Sequence, residues 1–174
     1  SRFGWNDASA VAATPEEREA EYERRWQIGG FAYLGAFSDT IIDPVANEHA
    51  SEFVRNKIRS IVHDPETAAL LCPTQPIACK RMCLDTGYYE TYNRPNVHLV
   101  DVSGAPIERI TADGLVTGGR EYAVDAIVFA TGFDAMTGAV MAVDLRGRDG
   151  VSIHDAWAAG PVNYLGLMVP EFPN

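Results

Sequence analysis

No G-x-G-x-x-G occurs anywhere in the 174 residues, so the glycine turn that opens a helix N-terminus to a pyrophosphate is missing from them. Positive charge is also scarce. Asp and Glu number 24 against 14 Lys and Arg, for a net charge of −10. That leaves no extended basic field for nucleic acid or an anionic membrane surface. No uninterrupted apolar run approaches the ~18 residues of a membrane-spanning helix. Cysteine is rare too. Cys72, Cys79 and Cys83 are too few and too odd for a disulfide scaffold, and Cys79 and Cys83 miss the C-x-x-C redox spacing. The four histidines, His49, His63, His98 and His154, stand singly and complete no zinc set, so no metal is expected. Free thiols point to a reducing, cytoplasmic setting. Neither an initiator Met nor a signal-peptide pattern begins the chain, and neither end closes a domain, so an internal fragment of a longer protein is expected.

What is present is globular: 47% hydrophobic and 22% charged residues suit one ordinary domain or parts of two. Residues 1–72 predict helices. Thr14-Pro15-Glu16-Glu17 combines an N-cap hydroxyl, Pro at the first helical position and a Glu placed for a capping box. Tyr22 and Trp26 then share a face, and Gly29-Gly30 stops the helix. Asp43-Pro44 opens a second helix with Ala50, Phe53, Val54, Ile58, Ile61 and Val62 at helical spacing. Asp64-Pro65 starts a third, which Cys72-Pro73 ends. From Val97 the pattern turns to strands. Residues 97–102 are mostly apolar; 107–111, 115–117 and 121–124 alternate and are separated by Asp113-Gly114 and Gly118-Gly119, a small antiparallel meander. Residues 126–130 are apolar throughout, which predicts a strand buried on both faces.

Chemistry concentrates between Cys79 and Val97. Lys80-Arg81 is either a solvated loop pair or an anion site. Its flanks, Pro76, Cys79 and Cys83, are not ordinary polar loop residues, and a strand edge follows, where α/β folds bind ligands. A compact ammonium suits a phosphate; a guanidinium that cannot deprotonate suits a developing oxyanion. Asp85 is placed to cap a short helix bearing Tyr88, Tyr89 and Tyr92, whose rings pack in a core or meet a cofactor or substrate. Ala130-Thr131-Gly132-Phe133-Asp134 ends the apolar run at a glycine, which allows a sharp exit; Asp134 is read as a turn residue. His154 has no neighbour to orient it as a base.

Taken together, Cys79-Lys80-Arg81 ahead of Tyr88-Tyr89-Glu90-Thr91, the Ala130-Thr131-Gly132 turn, and Asp155-Ala156-Trp157, Gly160-Pro161, Tyr164-Leu165-Gly166 and Phe172-Pro173-Asn174 resemble the Baeyer–Villiger monooxygenases. The resemblance covers nearly the whole chain and is strongest from Leu71 onward; Glu171 departs from a frequent Gly. It implies an α/β fold, part of a flavoprotein with two dinucleotide-binding, Rossmann-like domains. Residues 1–72 are then a helical subdomain inserted in the NADP-binding domain, 73–130 the C-terminal part of that domain, and 131–174 a return into the FAD-binding domain. It implies FAD and NADPH as cofactors, with a ketone and O2 converted through a peroxyflavin to an ester or lactone. Lys80 then contacts the 2′-phosphate of NADPH, Arg81 stabilises the peroxyflavin anion, and Thr131, Gly132 and Phe133 form a hinge and FAD-side loop. Without a glycine fingerprint the fragment alone is expected to hold no FAD and to be inactive. Two alternatives stand beside this: a related flavin monooxygenase acting on nitrogen or sulfur, and a non-catalytic flavoprotein-like module. A disulfide oxidoreductase is disfavoured by the cysteine spacing.

Overall fold

A computed structural model describes residues 4–132 and 136–173. Three helices begin where a capping side chain meets a proline. In α1 (Pro15–Ile28) the Thr14 hydroxyl accepts from the Glu17 N–H at 3.2 Å and the Glu17 carboxylate accepts from the Thr14 N–H at 2.9 Å. In α2 (Pro44–Ile61) Asp43 accepts from the N–H groups of Val45 and Ala46, and in α3 (Pro65–Leu71) Asp64 accepts from that of Thr67. Each cap satisfies donors the first turn leaves orphaned, while proline gives up an N–H that had no partner there. Gly29 at φ 79 stops α1, and a 3₁₀ turn (Gly30–Gly35) follows.

By compactness the chain divides into two units, Ser1–Arg109 with Thr117–Arg120, and Ile110–Val116 with Glu121–Asn174. The first is built on α2. One face of α2 offers Ala46, Ala50 and Phe53 to an aromatic cluster with Tyr22, Tyr33 and Phe37. Tyr33 stacks on Phe53 at 5.7 Å between ring centroids, and Tyr22 lies 5.3–5.4 Å from Tyr33, Phe37 and Phe53. These spacings are those of favourable offset and edge contacts. The alanines keep α2 slim enough for the rings to reach it. Further along, Ile58 and Val62 pack with Ala68 of α3. Val54 touches both cores, so one helix joins them. α4 (Tyr88–Thr91) is a single turn laid on the second core through Tyr89.

β1 (Ile107–Ile110), β2 (Gly114–Thr117) and β3 (Arg120–Ala123) form a sheet in the order β1-β2-β3. Connections this short permit only antiparallel pairing. Gly118 and Gly119 both have positive φ, 57 and 72, as a two-residue hairpin turn demands. Gly114 is not the turn residue that its pairing with Asp113 suggests. It opens β2, where an added Cβ would stand 1.9 Å from the Tyr122 carbonyl oxygen, so close backbone approach dictates the glycine.

Two expected strands do not form. Residues 97–102 and 126–130 have no regular structure, and Val128 and Phe129 are 88% and 70% exposed. A strand exists only through its ladder, and no described residue pairs with either segment. The second unit is otherwise short turns, with α5 (Gly138–Met141) and α6 (Ile153–Ala156) and a buried Ile153. No helix among the described residues is long and apolar enough to cross a membrane.

Candidate functional site

In the first unit a pocket of about 220 Å³ opens between α2, the irregular segment 73–83 and α4. Ser51 and Val54 give its helical wall, Tyr89 one edge, and Lys80, Arg81 and Cys83 its polar rim. It is smaller than the ~300–1,000 Å³ of sites that enclose a whole ligand, so it has room for part of a larger molecule.

Lys80 and Arg81 are exposed and, among the described residues, make no ion pair or hydrogen bond. The cations of α1 and α2 differ. Arg18 donates to the carbonyls of Ala10 and Ala13. Arg24 and Arg25 share Glu21, Arg55 and Arg59 share Glu52, and Lys57 reaches Glu23. Among the described residues the side chains of Arg94 and Arg148 also show no partner, but they stand singly; Lys80 and Arg81 bring two open cations to one pocket rim.

The segment bearing them is anchored at Ile77 and Met82, which pack against the first core. Asn47 binds the Ile77 peptide from α2 at 3.0 Å in both directions. Sequence reading passed over Asn47 and Ser51. Their signal was available: two polar residues at i,i+4 on a face otherwise made of Ala46, Ala50 and Phe53, with Asn a poor helix former.

Tyr88 is half exposed, and its hydroxyl lies 2.9 Å from that of Tyr92. This bond, followed by burial, pushes the Tyr92 phenol up to about 12. Burial raises Tyr89 as well. Both are neutral donors at physiological pH, and Tyr89 and Tyr92 pack on the second core. Asp85 accepts from the Tyr88 N–H at 2.5 Å, although Gly87 occupies the cap position. Cys72, Cys79 and Cys83 are free thiols. No cluster among the described residues could hold a metal ion.

Of the other predicted site residues, Thr131 and Gly132 belong to the second unit, exposed and irregular, with Gly132 at φ 75. Phe133, like Asp134, lies outside the described residues. His154 is exposed; its N–H donates to Ser152 Oγ.

No family model matches the chain. Individual proteins do, along its whole length. It is 45% identical over 175 residues to a phenazine N-monooxygenase, PhzNO1, of Lysobacter antibioticus, and 44% identical over 177 residues to a Baeyer–Villiger monooxygenase of Pseudooceanicola batsensis. Each match covers 99% of this chain and 32% of the relative. The solved structure of OTEMO in complex with FAD and NADP superposes on 97% of this chain with a TM-score of 0.90 at 40% identity, again over 32% of that protein. The chain thus spans about a third of the length of its curated relatives and is homologous to a segment of them.

Proposed function

We propose that this chain is a segment of an FAD- and NADPH-dependent Baeyer–Villiger monooxygenase, converting a ketone and O2 to an ester or lactone. Support comes from its homology to such enzymes. The single structural observation carrying the reading is Lys80-Arg81: adjacent cations, open to a ligand, on the rim of a pocket with room for part of a larger molecule. That donor set fits a nucleotide phosphate.

In this reading Lys80 holds the 2′-phosphate of NADPH as a point charge. Arg81 supplies a permanent cation to the negative charge that develops during oxygen transfer, preorganised by the anchored loop. The bound flavin provides the oxygen chemistry, and the protein provides position and field. Tyr89, a neutral phenol whose ionisation burial disfavours further, closes one edge without adding a competing anion. Thr131, Gly132 and Phe133 are proposed as a backbone hinge on the flavin side, doing no acid–base work. Residues 1–72 and 73–130 are assigned to the NADP-binding domain, and 131–174 to the FAD-binding domain. A second reading, N-oxygenation, is favoured by the 45% identity to the phenazine N-monooxygenase; product analysis with a cyclic ketone and an aromatic N-heterocycle separates the two.

The test is Lys80→Ala in the full-length protein. A charge-assisted hydrogen bond of ~1.5–3 kcal/mol predicts an apparent KM for NADPH raised about 10- to 150-fold, with NADH nearly unaffected. Higher salt should narrow the gap between wild type and variant. Equal losses for both nucleotides would falsify the assignment of Lys80.

A further inference from the structure

Between Pro73 and Asp85 the segment that carries Lys80 and Arg81 has no regular structure of its own. It also contains a strained point. Ala78 sits at φ 67, a region a residue with a Cβ holds only when its surroundings over-determine it. The immediately preceding residue is where those surroundings act. Asn47 Nδ2 donates to the carbonyl oxygens of Ile77 and Thr40, each at 3.0 Å. Asn47 Oδ1 accepts the Ile77 N–H at 3.0 Å and the Ser51 hydroxyl at 3.2 Å. Both amide hydrogens and both lone pairs of the side chain are therefore used. Ser51 Oγ is in turn a second acceptor for the Ile77 N–H, at 3.2 Å.

This arrangement makes one side chain act as a strand partner: it takes the N–H and the C=O of a single residue, as neighbouring strands do. Asn47 and Ser51 are 8% and 6% exposed, so water does not compete for these bonds. Apolar packing of Ile77 and Met82 sets how deep the segment sits, but hydrophobic contact has no direction. The amide sets its register. A turn closed by the Cys79 N–H on the Pro76 carbonyl oxygen at 3.2 Å then leads straight into Lys80.

We propose that Asn47, seconded by Ser51, is a positioning residue for the anion site: by fixing the Ile77 peptide to α2 it sets where Lys80 and Arg81 stand. The proposal rests on the reading that this pair holds the NADPH phosphate. No other residue type offers the same set of groups. Asp lacks the two donors, Leu lacks all four groups, and Gln carries them one methylene too far out.

The test uses the full-length flavin-loaded protein and reads equilibrium dissociation constants for NADP+ and NAD+ by calorimetry, together with hydrogen exchange of the Ile77 amide. Asn47→Ala should weaken NADP+ about tenfold, the equivalent of one well-made hydrogen-bonded contact, leave NAD+ within about twofold, and speed Ile77 exchange. Because Asn47 acts through Lys80, the double variant Asn47→Ala/Lys80→Ala should bind NADP+ within about twofold of Lys80→Ala alone. Should far-UV circular dichroism show Asn47→Ala to be misfolded, Ser51→Ala carries the same test with a smaller loss of about threefold. Equal weakening for both nucleotides, or additive losses in the double variant, overturns the proposal. Normal NADP+ affinity in Asn47→Ala alongside weakened Lys80→Ala overturns it while leaving the pocket reading intact. Normal affinity in Lys80→Ala overturns both.

Discussion

The Tyr33 hydroxyl donates to the carbonyl oxygen of Ala50 at 2.7 Å, tying the 3₁₀ turn to the middle of α2 inside the aromatic core. Burial, then the neighbouring Tyr22, drives the Tyr33 phenol far above its usual range, so it remains a donor wherever the chain is folded. Tyr33→Phe keeps every ring contact and removes one buried bond, with an expected loss of about 1 kcal/mol. Tyr33→Ala also empties the ring position and should cost roughly 3–5 kcal/mol. Urea denaturation of both variants checks the pair, and a similar cost for both would mean that packing contributes little.

Asp39 holds the segment before α1 from a distance. Its carboxylate accepts from the Ser9 hydroxyl at 2.5 Å, the Ala10 N–H at 2.8 Å and the Val11 N–H at 3.3 Å. Burial pulls the pKa up, but these bonds outweigh it and the net displacement is downward. A depressed folded-state value means the stabilisation is complete above the unfolded value, near pH 4, and is lost as pH falls through the folded one. Asp39→Asn should therefore lose about 1–2 kcal/mol at pH 7, discounted for partial exposure. The difference from wild type should shrink below about pH 4. Thermal melts from pH 2 to pH 7 measure this, and a pH-independent difference contradicts it.

On the proposed function, Arg81→Ala in the full-length protein should separate cofactor reduction from oxygen transfer. The negative charge assigned to Arg81 arises only after NADPH has delivered its hydride, so reduction should remain measurable. Product formation should fall ~100- to 1,000-fold, the usual cost of losing one preorganised donor. Stopped-flow absorbance and product analysis on the same variant report the two halves, and a normal yield of ester or lactone makes Arg81 a structural loop residue.

The sequence by itself determined the helix starts and one hairpin, and it marked where a ligand site was to be sought. Thr14, Asp43 and Asp64 beside prolines announced three helix starts because capping and proline geometry are satisfied within a single turn. Gly118-Gly119 announced the hairpin for the same reason. Lys80-Arg81 stood out as a candidate anion site because adjacent cations in an acidic chain are visible before any folding. Tertiary structure decided what depends on distant partners. The apolar stretches 97–102 and 126–130 read as strands from composition, yet no described backbone completes their ladders. Gly114 proved indispensable through Tyr122, a neighbour across the sheet. Asn47, visible in the sequence only as a polar residue on an apolar helix face, found its four hydrogen bonds at three residues, Thr40, Ser51 and Ile77. A side-chain amide carries no mark of which peptide it will hold, because that match is made by packing across some thirty residues.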